Sequence, residues 1–259
     1  MIPLGDDLPT LKTPWMTYTI LAVTFGVFLL VEGGAFNPTR LATSICVLGM
    51  VPAELTHRLP VGVGVPIGPN LACVIDRDRI NLFTPLLSIF LHGGWAHILG
   101  NSLYFWVFGN NVEDVMGPWR FLAFYLLCGL AAALAHVVLN PASAVPTVGA
   151  SGAISGIMGA YLLLYPRAHV RMLFPLVIIW PIVRIQAWAV LLWWFGTQVL
   201  TGLPELQSVN RNVSGGVAVW AHVGGFVAGL VLIRLFSDRR LVQAHRAFLA
   251  RQLGRYPWA

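Results

Sequence analysis

Charge is what this sequence has least of. Asp, Glu, Lys and Arg make up 10% of its 259 residues, against about 25% in a soluble domain. There is one lysine, Lys12. With 57% apolar residues and a mean hydropathy of +0.75, the chain cannot be an ordinary soluble domain and reads as a polytopic membrane protein in one domain. Its net charge of +6 is no argument for nucleic acid, because six of the sixteen basic residues lie between Arg234 and Arg255. Such a cluster anchors a last helix at the cytoplasmic surface, so no nucleic-acid partner is expected.

Other absences narrow the chemistry. All ten acidic residues fall in expected loops or helix ends, which leaves no transmembrane aspartate pair for an aspartyl-type intramembrane protease. There is no H-E-x-x-H, and His92 and His97 are five apart, off a common helical face, so no metal or other cofactor is expected. Of the three cysteines, Cys46 and Cys73 share one loop and Cys128 lies in an apolar helix. The loop pair could bridge if it faces an oxidising compartment, but free cysteines are the expectation. The first residues include Asp6 and Asp7 and lack the basic start of a secretory signal, so no cleaved signal is expected.

Six apolar segments remain. The first runs from Trp15 to Val31 and ends at Glu32, Gly33 and Gly34. Residues 32 to 90 form a long connection expected to fold against the membrane surface. The second helix starts within the stretch from Leu91 to Asn101 and continues to about Asn110, before a polar turn with Glu113, Asp114 and Gly117. Pro118 heads the third, which reaches about Val138. The fourth carries Ser151 and ends near Tyr165, too short to cross a bilayer alone, and so should sit central and surrounded. Pro166 to Arg184 reads as an interfacial loop, Gln186 to about Leu203 as the fifth helix with Trp188, Trp193 and Trp194, and about Val217 to Phe236 as the sixth. This divides the chain into a cytoplasmic N-terminus (1–13), a six-helix membrane domain (14–236) and a basic cytoplasmic tail (237–259).

With six spans, eleven arginines and lysines fall on the side of the termini and five opposite, which puts both termini in the cytoplasm. Helices two, four and six then run inward from the outer face. Each carries polar residues in its first turns: His97 and Asn101, Ser151, and His222. A serine among glycines, taken alone, reads first as helix-packing filler, and His222 or the His97/Asn101 face could each be interhelical glue. Convergence of all four at one depth from three helices points instead to a site. His136 and His169 have no such convergence and are left as structural. With no buried carboxylate to orient His222, a nucleophilic Ser151 would work in a dyad rather than a triad.

Gly149-x-Ser151-Gly152, His92-x4-His97-x3-Asn101, Gly109-x3-Glu113-x3-Gly117-x2-Arg120-Phe121 and Ala221-His222-x-Gly224-Gly225-Phe226-x2-Gly229 together resemble the signatures of rhomboid intramembrane serine proteases. They occur in family order over about residues 80 to 236. The resemblance implies Ser151 as nucleophile, His222 as general base and acid, and Asn101 and His97, with the Ser151 backbone N–H, as oxyanion donors. His92 matches a family position associated with the loop and water region. Two departures stand out. Ser155 occupies the place, four after the serine, where many members carry an aromatic residue that stacks on the histidine, so His222 must be oriented otherwise. The first loop also lacks the Trp-Arg pair of some relatives.

The reading is therefore an all-α, six-helix rhomboid-like bundle with a long structured first loop, expected in a bacterial inner membrane. It would hydrolyse peptide bonds in or near the transmembrane segments of single-span membrane proteins. The alternatives are a catalytically inactive rhomboid-like protein that binds membrane helices, and a transporter, which the outer position of the polar set disfavours.

Overall fold

A computed structural model of the chain describes residues 1–68, 71–176, 179–207 and 218–253, and in it each of the six apolar segments is a helix. The elements in order are β1 (Ile2–Asp6), α1 (Trp15–Leu30), α2 (Pro38–Leu48), α3 (Pro52–Thr56), β2 (Gly64–Gly68), β3 (Leu71–Val74), α4 (Thr84–Leu87), α5 (Trp95–Met116), α6 (Pro118–Leu139), α7 (Ser151–Leu164), β4 (His169–Leu173), β5 (Ile182–Gln186), α8 (Ala187–Gln207), α9 (Val219–Phe236) and α10 (Arg239–Leu253). The fold is mostly helical. By length and composition, α6 and α9 can cross a bilayer, while α1 and α7 are shorter apolar helices. The loop carrying Arg211, the expected helix start at Val217 and the Arg255 end of the tail lie outside the described residues.

α7 is the centre. Its 14 residues give about 21 Å of helix, less than the roughly 30 Å hydrocarbon core. Every residue from Gly152 to Tyr161 is buried, which a helix achieves only when neighbours cover it all round. α5, α6, α8 and α9 supply that cover.

The contact with α9 is the closest, and glycine makes it possible. A methyl group at Gly225 would collide with the carbonyl oxygen of Gly152, and one at Gly229 with the backbone of Gly156. Gly152 itself faces the Ala132 methyl of α6, 2.6 Å from where its own Cβ would lie. Small residues thus let the α7 and α9 backbones meet directly and leave only a methyl group between α7 and α6, the packing that substitutes for hydrophobic driving force in lipid.

The sequence reading needs four corrections here. The fold is not purely α: β1, β4 and β5 form an antiparallel sheet in that order, and β2 and β3 pair in a second. Second, His169–Leu173 and Ile182–Gln186 pair as antiparallel strands where a loop was expected. Alternation along β4 buries Val170 and Met172 and turns Arg171 outward, and the chain start pairs with it from Ile2 opposite Leu173 to Asp6 opposite Val170. Third, α5 does not stop at Asn110. It continues through buried Glu113 and Asp114, because the N-terminal segment brings backbone donors to both carboxylates. Leu11 and Lys12 N–H bond Asp114 at 2.6 and 3.1 Å, and Met16 and Thr17 N–H bond Glu113 at 2.9 and 2.8 Å. Fourth, Cys46 and Cys73 are joined in a disulfide, with their Cα atoms 5.2 Å apart.

The two ends of the bundle differ accordingly. Both terminal segments meet at the C-terminal ends of α5 and α7. Tyr161 Oη donates to Asp6 at 2.6 Å, and His245 of α10 lies 2.7 Å from Tyr165 Oη and 3.8 Å from Asp114. The disulfide-closed first loop lies at the other end, where Met50 pairs with Thr147 and the Gly149 N–H bonds the Ser88 carbonyl at 2.9 Å.

Candidate active site

Ser151 is the first residue of α7, and no side chain caps that helix. The N–H groups of a first helical turn have no intrahelical acceptor. Ser151 N–H and its neighbours therefore stay available at this end of the bundle. Gly149, two residues earlier, has φ of +124°, and a Cβ there would lie 2.7 Å from His97 Nε2 and 3.4 Å from Asn101 Nδ2. Only glycine lets the chain turn here while the α5 side chains come this close.

His222 lies in the first turns of α9, and the glycine contact between α7 and α9 brings it to the serine. Its Nε2 is 2.8 Å from Ser151 Oγ. Its Nδ1 is 2.8 Å from Gln198 Oε1 on α8. A carboxamide oxygen only accepts, so the proton sits on Nδ1, and Nε2 is left to accept from the serine hydroxyl. One turn before Gln198, Trp194 sets its ring 5.8 Å from that of His222, tilted by 41°. Ser155 is buried, its hydroxyl donating to the Ser151 carbonyl at 2.6 Å.

His97, Asn101, Gly149, Ser151 and His222 line one cavity of about 420 Å³. The Asn101 Nδ2 group donates to His92 Nε2 at 2.9 Å. An amide nitrogen carries two hydrogens, so the second remains for the cavity. His92 is not on α5 but in the turn before it, and it stacks edge-on against His97 with ring centroids 5.0 Å apart. That turn is held from below by Glu32, which follows α1. Both its carboxylate oxygens take the His92 N–H, at 2.9 and 3.0 Å. Burial pushes the Glu32 carboxyl up to about 7.

All five residues singled out from the sequence are thus in one neighbourhood, four on the cavity wall and His92 behind Asn101. His136 is buried on α6, and His169 bonds Asp7 at 3.2 Å in the sheet. Two contributors escaped sequence reasoning. Gln198 is an amide on an apolar helix face, an expensive placement that is itself a signal. Glu32 read as a helix terminator and gave no sign of its partner, which lies sixty residues on.

A geometry of hydroxyl, imidazole and open donors around a cavity suits nucleophilic attack on a carbonyl carbon. A family model for the rhomboid domain matches residues 78–239, a segment that includes every cavity residue named above. Rhomboid protease GluP of Bacillus subtilis (strain 168) is 34% identical over 163 residues, which are 62% of this chain and 26% of GluP. RHOMBOID-like protein 5 of Arabidopsis thaliana is 26% identical over 86% of this chain and 69% of its own length. Putative rhomboid protease YdcA of Bacillus subtilis (strain 168) is 29% identical over 64% of this chain and 73% of its own length. The chain therefore spans about a quarter of GluP and roughly seven-tenths of the other two.

Proposed function

The chain belongs to the rhomboid family, and from that premise we propose that it is an intramembrane serine protease with Ser151 as nucleophile and His222 as general base and acid. The observation that carries this is the 2.8 Å contact of Ser151 Oγ with a His222 nitrogen whose partner across the ring is an acceptor. In the first step Ser151 Oγ bonds to the substrate carbonyl carbon as its proton passes to His222 Nε2, and the carbonyl π pair moves to oxygen. Asn101, His97 and the Ser151 N–H stabilise that oxyanion, each donor worth about 3 kcal/mol in a water-poor site. The carbon–nitrogen bond then breaks as His222 returns the proton to the leaving amine. Water, deprotonated by His222, releases the second product from Ser151 in the same way.

The six spans are α1 and α5 to α9, with both termini cytoplasmic and the site toward the outer face. Two features support this orientation beyond the arginine count. The terminal segments share one end of the bundle, and the Cys46–Cys73 bond belongs to a loop at the other, which fits an oxidising exterior. The substrate is a single-span membrane protein that arrives sideways, along Trp-rich α8. Its peptide bond must leave the helical state before attack, so favoured spans carry small residues at the cut and Gly, Pro or Asn nearby. The intact Ser151–His222 pair argues against the inactive, helix-binding alternative.

The test is a reporter transmembrane segment in lipid vesicles with the purified chain, its products sized, alongside a version whose helix-weakening residues are leucine. Cleavage of the first and slower cleavage of the second are expected. No cleavage by protein that is folded and inserted would overturn the reading.

A further inference from the structure

With a small residue, Ser155, in place of a stacking aromatic and its hydroxyl engaged with the Ser151 carbonyl, the contact that α7 makes with the imidazole of His222 is the Ser151 hydroxyl itself, at Nε2. The Nδ1 edge and ring face are held from elsewhere. Two side chains of α8 hold them. Gln198 Oε1 accepts from Nδ1 at 2.8 Å, and Trp194, on the same face one turn earlier, leans its ring toward the imidazole. We propose that Gln198 is a positioning residue of this site, the third member of a Ser151–His222–Gln198 relay, which holds the catalytic imidazole in the tautomer and rotamer that lets Nε2 accept the serine proton. This deepens the protease reading and rests on it.

The chemistry of the amide fits the task. The acceptor is present whether His222 is neutral or protonated, because Nδ1 keeps its hydrogen through both halves of the cycle and only Nε2 gains and loses a proton. A neutral imidazole without this acceptor can carry its hydrogen on Nε2 instead, and in that tautomer it cannot take the serine proton. Ser155, engaged with the Ser151 carbonyl, does not replace that acceptor, which leaves the ring to Trp194 alone. An amide supplies direction without charge, so a deeply placed site gains orientation without a buried ion that would need its own partner. The arrangement also ties the base to α8, so displacement of that helix removes the acceptor from His222.

Gln198→Leu should lower kcat for reporter cleavage about ten- to a hundredfold, the range for misplacing a reacting group by up to about 1 Å. The rate of fluorophosphonate labelling of Ser151 should fall by a similar factor, with KM unchanged within about twofold. Gln198→Glu should recover most of the activity with an altered profile. A carboxylate beside Nδ1–H favours the imidazolium, so the acidic limb of kcat should move to higher pH than in wild type. His97 and His136, the other titratable groups acting on His222 among the described residues, are the same in all variants. A merely structural glutamine would not produce that displacement. The inference is overturned if folded Gln198→Leu labels and cleaves within twofold of wild type, or if its loss lies wholly in KM. Should Gln198→Leu fail to fold, Gln198→Glu decides alone: an acidic limb that stays in place overturns the inference. A wild-type protein that neither labels nor cleaves overturns the protease reading and this inference together, whereas an active wild type with an active Gln198→Leu overturns this inference only.

Discussion

Replacing Gly225 by alanine perturbs the site without touching it. The added methyl would run into the Gly152 carbonyl oxygen, next to Ser151 and one turn from His222. Restoring ordinary contact requires α7 and α9 to part by about 1 Å, because a packed interior absorbs little of such an insertion. Overpacking of this kind costs about 1–3 kcal/mol, which a well-packed bundle survives. The 2.8 Å contact between Ser151 and His222 does not. Opened by about 1 Å, it passes beyond the roughly 3.5 Å at which a hydrogen bond ends, and a displacement of that size costs about a hundredfold in rate. Gly225→Ala should therefore label with fluorophosphonate and cleave the reporter about a hundredfold more slowly. Thermal unfolding in detergent should change by only a few degrees. Gly26→Ala in α1, where a methyl meets nothing within 4 Å, should leave both rates unchanged. A folded Gly225→Ala with wild-type rates would refute the claim that helix approach sets the catalytic geometry.

Three further outcomes follow from named contacts. Asn101→Ala should slow cleavage about a hundredfold, less than loss of Ser151 or His222, because the proposed mechanism then loses one oxyanion donor among several; a larger loss than Ser151→Ala would give Asn101 another role. Glu32 is buried with its carboxyl pushed up to about 7 from 4.5. Its ionised form is thus disfavoured in the fold, and its contribution is best below pH 4.5 and declines as pH rises through 7, by up to roughly 3 kcal/mol. Glu32→Gln, which keeps an acceptor for the His92 N–H, should lose that decline. Unfolding measured at pH 4.5, 6 and 8 should show the variant gaining on wild type as pH rises, and the opposite trend would contradict the burial argument. Breaking the Cys46–Cys73 bond, which closes a 27-residue separation, should destabilise the first loop by about 3.5 kcal/mol through the entropy of the unfolded chain. Proteolysis of that loop before and after reduction reads this out, and no change would show that the loop needs no cross-link.

What was legible in the sequence was legible because lipid makes polar groups conspicuous. Ser151, His222, His97 and Asn101 stand out on apolar helices, and the shortness of α7 foretold its enclosure. Gln198 carried the same signal, but the tryptophans around it draw the eye, and a lone amide does not say which histidine it meets. Glu113 and Asp114 read as a solvated turn since charge normally means water. Their backbone donors come from residues 11–17, a hundred positions away, which no local pattern reveals. The β1–β4 pairing is equally non-local. The cysteine pair turned on which side of the membrane the loop faces and on a 5.2 Å Cα separation, and neither is written in the spacing of Cys46 and Cys73.

The most direct measurement compares wild type, Ser151→Ala and His222→Ala for fluorophosphonate labelling and reporter cleavage in lipid vesicles, with insertion checked for each. The dyad account predicts a labelled, active wild type, no label on Ser151→Ala, and cleavage reduced at least about a thousandfold in both variants, because nucleophile and base act as one unit. Substantial cleavage by either folded variant would contradict it.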